Sequence, residues 1–221
     1  MKIDFDILNN SDKYYAMCGQ LFAEQQGPDF TSAGNYDWPR YTDQYYKGLR
    51  FDTIEPVKQD RDRYQGEQGK VKLIQDNKDP SFLYKNNDTP KDAVLDRVVV
   101  DHKHPLHQQI RKDLDLSHAR VLLNIQQPGK FVPPHLDRNA AFINDVLKDR
   151  QIESWHDVKR WIYMWEDQRP GEFFRIGDTD FRWKAGDLIQ FPFYQLHGTA
   201  NAGHVQRPSL SIIGTKNQTN K

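Results

Sequence analysis

The chain has 221 residues, with 31 basic side chains balancing 31 acidic ones. That is room for one sizeable domain, with no net charge to draw it to duplex nucleic acid or an anionic membrane. Aromatics at 12% exclude a disordered chain, and the single cysteine, Cys18, excludes an internal disulfide. No apolar run approaches membrane-spanning length and the start, MKIDFDILNN, is too acidic for a signal peptide, so a soluble cytoplasmic protein is expected.

Asn10-Ser11-Asp12 reads as a helix cap, and Tyr14, Cys18, Leu21 and Phe22 follow at helical spacing. An amphipathic first helix is predicted, with Cys18 as a small buried apolar residue. From about Gly27 to Leu95 the chain is polar and broken by Gly, Pro, Asn and Asp, with GLRFDTI and KVKLI as strand candidates. Within it WPRYTDQYYKGLRF mixes basic and aromatic side chains that can stack on or grip a ligand. DRVVVD is a short β-branched run, and HPLHQQIRKDL a helix opened by its proline. His102, His104 and His107 cluster there and read as a solvated cap rather than a second metal site.

From Arg120 onward RVLLNIQ, KRWIYMWED, EFFRI, DFRWK, DLIQFP and RPSLSIIG are strand-like runs separated by turn residues. A helix is expected at roughly Ala140 to Lys148, and the tail TKNQTNK as frayed. Many short strands with regular turns predict an antiparallel sandwich or barrel.

In PGKFVPPHLDR, His135 and Asp137 stand two apart on an extended segment and so point to one side. His197, 62 residues later by 197 − 135, is the candidate third ligand. Two histidines and a carboxylate with open positions suit non-haem Fe(II) and O₂ chemistry. His204 is a rival whose place after Asn201-Ala202-Gly203 predicts exposure, and Asn201 is read as stabilising the turn after His197. In RPSLSIIG a strand would place Arg207, Ser209 and Ser211 on one face. An inward arginine needs an anion, and its planar guanidinium matches a carboxylate.

These residues resemble a known family. Gly129 to Asp137 reads G-x5-H-x-D and Gly186 to Asn201 reads G-x5-P-x4-H-x3-N, similar to the two cupin motifs. With Arg207-x-Ser209 added, the set resembles the iron(II)- and 2-oxoglutarate-dependent oxygenases over about Arg120 to Gly214. The resemblance implies a mainly β fold with flanking helices, a double-stranded β-helix of jelly-roll, cupin-like type. One oxygenase domain would span 1–221: an N-terminal helical and irregular elaboration over 1–118, the core over 119–214 and a tail over 215–221. It implies His135, Asp137 and His197 as Fe(II) ligands, and Arg207 with Ser209 as binders of the distal carboxylate of 2-oxoglutarate. Asn124 is a further candidate for that cosubstrate.

The activity implied is a dioxygenase that uses O₂ and 2-oxoglutarate, hydroxylates a C–H bond and releases succinate and CO₂. Asp137 fills a position that halogenating relatives leave small, which favours hydroxylation. The substrate would be a small molecule or a peptide or protein side chain, with Arg138, Gln126, Trp161 and Tyr163 as candidate contacts. Trp161, Tyr163 and Trp165 alternate along one strand and equally fit a core face. The alternatives are a cupin-type isomerase or dioxygenase that uses no 2-oxoglutarate, and a non-catalytic binding protein on the same scaffold.

Overall fold

A computed structural model describes residues 7, 10–25, 27–40, 72–75, 79–83, 96–137, 142–143 and 154–216. The candidate strand GLRFDTI, Arg138 and all but Phe142 and Ile143 of the helix expected near 140–148 lie outside the described residues. The first helix, α1, runs Ser11–Ala23, and the Asn10 side chain accepts from the Asp12 and Lys13 amides, each at 3.1 Å. That satisfies two of the donors a helix start leaves unpaired. It buries Tyr14, Met17, Cys18 and Leu21, positions i, i+3, i+4 and i+7 that make one stripe. Phe22, expected on that stripe, falls one position round and is exposed.

Two sheets follow from the strand pattern. The larger has six strands in the order β1 (Thr31–Asn35), β10 (Asp187–Pro192), β7 (Val158–Met164), β12 (Arg207–Lys216), β5 (Leu116–Gln126) and β4 (Asp96–Val100). The smaller is ordered β6 (Lys130–His135), β11 (His197–Asn201), β8 (Glu172–Ile176) and β9 (Thr179–Asp180). All the pairings are antiparallel. From β5 onward the chain alternates between the sheets with interleaved partners, apart from the β8–β9 hairpin within the smaller one, the wiring of a double-stranded β-helix. A separate hairpin pairs β2 (Lys72–Gln75) with β3 (Asp79–Leu83). β1 and β3 emerge from sequence read as irregular, whereas the run DFRWK contributes only Asp180 to a strand.

The period-2 pattern decides which face each residue serves. Val121, Leu123, Ile125, Trp161, Tyr163, Trp165, Leu188, Leu210 and Ile212 form one cluster with Leu106 and Ile110 of the second helix, α2 (Pro105–Asp113). Ile162, Met164, Phe174, Ile176, Ile189 and Phe191 form another between the two sheets. A third joins α1 to Phe142, Trp155, Phe193 and Ile213. The histidine cluster does cap a helix, but its solvated character needs correction. His102 is exposed, but His104 and His107 are buried, the former accepting from the Leu106 amide at 3.1 Å as the α2 cap, the latter 3.3 Å from the Ala119 carbonyl. Burial lowers both pKa values. No helix among the described residues is long and apolar enough to cross a membrane.

Candidate metal centre

The strand β6 ends at His135, and the chain leaves it with Asp137 two residues on. β11 begins at His197, which pairs in register with His135 on one side and Ile176 on the other. Pairing brings the two imidazoles to a centroid distance of 4.5 Å. The approach is close because residue 198 is glycine: a Cβ there would meet Pro134 N at 2.9 Å and the Val132 carbonyl at 3.1 Å. One ligand atom from each of His135, Asp137 and His197 lies within 4.8 Å of the others, the single such metal-type group among the described residues.

Asp137 Oδ1 is 3.2 Å from His135 Nε2, and Oδ2 is 3.7 Å from His197 Nε2. His197 Nδ1 sits 3.0 Å from the Gln195 carbonyl. An acceptor there fixes the proton on Nδ1 and turns the Nε2 lone pair toward Asp137. Behind the ring, Phe174 stacks at 6.5 Å and Phe191 lies at 5.3 Å. The Asp137 carbonyl accepts from the Tyr14 hydroxyl of α1 at 2.8 Å, so the N-terminal helix holds the ligand loop. These donors, in type, direction and spacing, fit a divalent transition metal with open positions.

The strand β12 carries Arg207, Ser209 and Ser211 inward, as the parity predicts; all three are buried. Arg207 is 4% exposed. Its Nη1 donates to the carbonyls of Phe173 at 3.0 Å and Ala200 at 3.4 Å, its Nη2 to Gln126 Oε1 and Thr199 Oγ1, and its face covers Trp183 at 5.4 Å. No carboxylate of a described residue pairs with it, and its Nε has no partner among them. Burial pushes the guanidinium down to about 10, offset in part by the charge of Glu172, so it remains a cation at neutral pH.

Asn124 faces Ser209 across the β5–β12 register, and its Oδ1 is buried without a partner among the described residues. Gln126 also points inward, but its amide is spent on Arg207 and on Thr199, whose carbonyl it reaches at 3.3 Å. It supports the arginine instead of facing a substrate. Trp161 and Tyr163 are a correction: they lie on the opposite face of β7 from the metal cluster, packed under α2, and cannot contact a substrate there. His204 is exposed, and Asn201 closes its turn by donating to the Gln126 and Val205 carbonyls and accepting from the Gly203 amide.

The roles of three residues at this site went unread in the sequence. Arg160 pairs with Asp137, Thr199 buttresses Arg207, and Tyr14 anchors the loop. Arg160 had a signal, since it shares parity with Ile162 and Met164 in a run that is otherwise apolar. Thr199 and Tyr14 had none, because Thr199 reaches Arg207 from the other sheet and Tyr14 meets Asp137 from 123 residues away.

No family model matches the chain, and no curated protein sequence does. Among solved structures it is similar to a prolyl-4-hydroxylase of Pseudomonas putida at 22% identity, over 55% of this chain and 71% of that one, with a TM-score of 0.38. A 2OG-Fe(II) oxygenase family oxidoreductase of Burkholderia pseudomallei aligns at 14% identity, 56% and 68% coverage and a TM-score of 0.37. A protein described as a sugar phosphate isomerase, of Acidithiobacillus ferrooxidans, aligns at 18%, over 53% of this chain, with a TM-score of 0.32. The chain spans 58% of that protein's length. These likenesses are slight, and the fold rests on the strand order above.

Proposed function

We propose that this chain is an Fe(II)- and 2-oxoglutarate-dependent dioxygenase that hydroxylates a C–H bond of a small molecule or of a peptide or protein side chain. One oxygenase domain would extend over 1–221, with 119–214 as its core. The observation that carries the reading is a buried arginine without a carboxylate partner among the described residues, on the inner face of the barrel that also presents two histidines and an aspartate. A desolvated cation of that kind calls for an anion. His135, Asp137 and His197 would hold the metal, which when bound supplies the O₂ chemistry.

The chain's own residues bind and orient. Arg207, held flat by Trp183, Gln126 and Thr199, presents a fixed guanidinium to the remote carboxylate of a 2-oxo diacid, with the Ser209 hydroxyl two residues on. Asn124, opposite Ser209, offers an amide to the same ligand or to the substrate. Phe174 and Phe191 wall the His197 side with apolar surface and keep bulk water off it. The Gln195 carbonyl keeps the His197 proton at Nδ1.

One observation favours a second reading, a cupin-type metalloenzyme without 2-oxoglutarate. Both Nη atoms of Arg207 already donate to neutral acceptors within the fold, which gives the arginine a structural role. Anaerobic visible absorption with Fe(II) and 2-oxoglutarate added singly and together separates the two. A weak charge-transfer band that needs both additions and vanishes in His135→Ala supports the oxygenase. Metal binding shown independently, with no such band, moves the cupin reading ahead.

A further inference from the structure

The Gln195 carbonyl orients the His197 imidazole, and the Gln195 side chain is itself held by a residue with no task in either reading above. Gln195 lies wholly buried in the turn between β10 and β11. Its Nε2 donates to Asp29 Oδ1 at 3.0 Å, across 166 residues of sequence. The other oxygen, Asp29 Oδ2, accepts at 3.4 Å from the Asp178 amide in the turn between β8 and β9. The two turns are also joined directly, since the Gly177 amide donates to the Leu196 carbonyl at 2.8 Å. Residue 177 lacks a side chain where one would block this junction: at its φ of 57°, a Cβ would strike the Asp29 carboxylate and lie 2.6 Å from Gln195 Nε2. The next residue along from Asp29, Phe30, packs edge-on to Phe181 at 5.6 Å in the cluster between the sheets, which fixes the backbone that carries the carboxylate.

We infer that Asp29 is a positioning residue: its carboxylate locks the Gln195 side chain, and through it the carbonyl that sets the direction and tautomer of His197. The inference rests on the metal-centre reading. Charge and position make different predictions for it. As an anion at a distance, Asp29 would favour a bound cation however its hydrogen bonds were arranged. As a positioning residue it needs only an acceptor for the Gln195 amide, charged or not. Position is the stronger effect in this geometry. Gln195 is wholly buried, so its amide cannot turn to bulk water when Asp29 is lost, and the turn must shift to meet it. Asp29 is only half-buried, so its field is screened. Loss of an outer partner of a ligand typically weakens metal binding about 10–100-fold, and Asp29 stands one bond further out, so the low end, about 10-fold, is expected.

The test is Co(II) titration of the full chain for the wild type, Asp29→Ala, Asp29→Asn, Gln195→Leu and the double variant Asp29→Ala/Gln195→Leu, with the imidazole nitrogen NMR signals of His197 recorded on each metal-free protein. Asp29→Ala should bind Co(II) about 10-fold more weakly and move the His197 Nδ1 signal away from its protonated position as the tautomer preference relaxes. Asp29→Asn, which removes the charge and keeps an acceptor for Gln195, should recover most of the affinity. The double variant should lose no more than Asp29→Ala alone, because both changes cut one link. Unchanged affinity in Asp29→Ala overturns the inference, as does weaker binding with the His197 signal unmoved. Equal losses in the alanine and asparagine variants overturn it in favour of charge, and additive losses in the double variant overturn the route through Gln195. Should Asp29→Ala fail to fold, Gln195→Leu decides: weaker binding with a moved His197 signal supports the lock, and wild-type values for both overturn it. A wild type that binds no Co(II) fails the metal-centre reading itself, and the metal-free His197 signals then still decide what Asp29 does.

Discussion

The two faces of the six-stranded sheet are built from the same strands and obey opposite rules. On β7 the outward residues are Trp161 and Tyr163, packed under α2 with Leu123, Leu210 and Ile212. Two of the polar atoms on this side meet backbone acceptors: the Tyr163 hydroxyl donates to the Tyr36 carbonyl at 2.9 Å, and the Trp165 indole to the Trp38 carbonyl at 3.0 Å. The inner face of those strands carries Arg160, Arg207, Ser209, Ser211, Asn124 and Gln126. Two buried guanidinium groups and an amide oxygen unmet among the described residues cost stability that an apolar inner face would have kept. The outer face holds the barrel together, and the inner face gives up some of that stability to present groups to a ligand.

If that division is right, substitutions on the two faces should separate stability from binding. The largest effect is expected at the metal cluster. His135→Ala or His197→Ala should abolish 2-oxoglutarate turnover, measured as succinate release, with the urea midpoint close to wild type, since one of three ligands is lost. Normal turnover by both would remove the site. Trp161→Ala should show the reverse, a loss of about 3–5 kcal/mol in urea unfolding with Co(II) affinity unchanged below its midpoint. Impaired metal binding in the folded variant would mean the faces are coupled.

Arg207→Met should raise the half-saturating 2-oxoglutarate concentration at least about 30-fold, the equivalent of about 2 kcal/mol, with Co(II) affinity retained. An unchanged requirement would leave Arg207 a purely structural residue. The smallest effect concerns the third cluster. Burial pushes the Cys18 thiol up from 9.0 to about 12. Above pH 9 the unfolded chain gives up this proton and the folded one keeps it, so that share of stability is full below 9 and is lost as pH rises toward 12. Urea midpoints at alkaline pH should decline less steeply in Cys18→Ala, and an identical slope would show that Cys18 does not contribute.

Legibility in the sequence followed the range of the physics. The α1 cap, the inward parity of Arg207, Ser209 and Ser211, and the same-side placement of His135 and Asp137 depend on neighbours within a few positions, and the sequence displays them. The convergence of His197 on that pair was legible from motif spacing. β1 was not, since Thr31–Asn35 is held by pairing with residues 187–190, and its own side chains carry no strand pattern. Trp161 and Tyr163 were assigned one shared face correctly, but parity alone does not say which face meets the cavity. Gln126 and Thr199 were missed as supports of Arg207 for a similar reason. Gln126 reaches Arg207 from the neighbouring strand β5 and Thr199 from β11 in the other sheet, and neither pairing shows in local parity.

The register that places His197 opposite His135 also sets a timetable. A chain folding from its N-terminus has His135 and Asp137 in hand early, and among the described residues the strand before them has β11 as its one ladder partner. Sixty-two residues must follow before that partner exists, and closing a loop of such length is a slow step relative to local hairpins. Until β11 docks between β6 and β8, the early pair has no third donor and a metal ion has only a weak, two-sided hold. On the proposed reading, cofactor loading would be deferred to nearly complete barrels and metal capture would report closure: the rate at which Co(II) colour develops during refolding should follow the docking of a single five-residue strand.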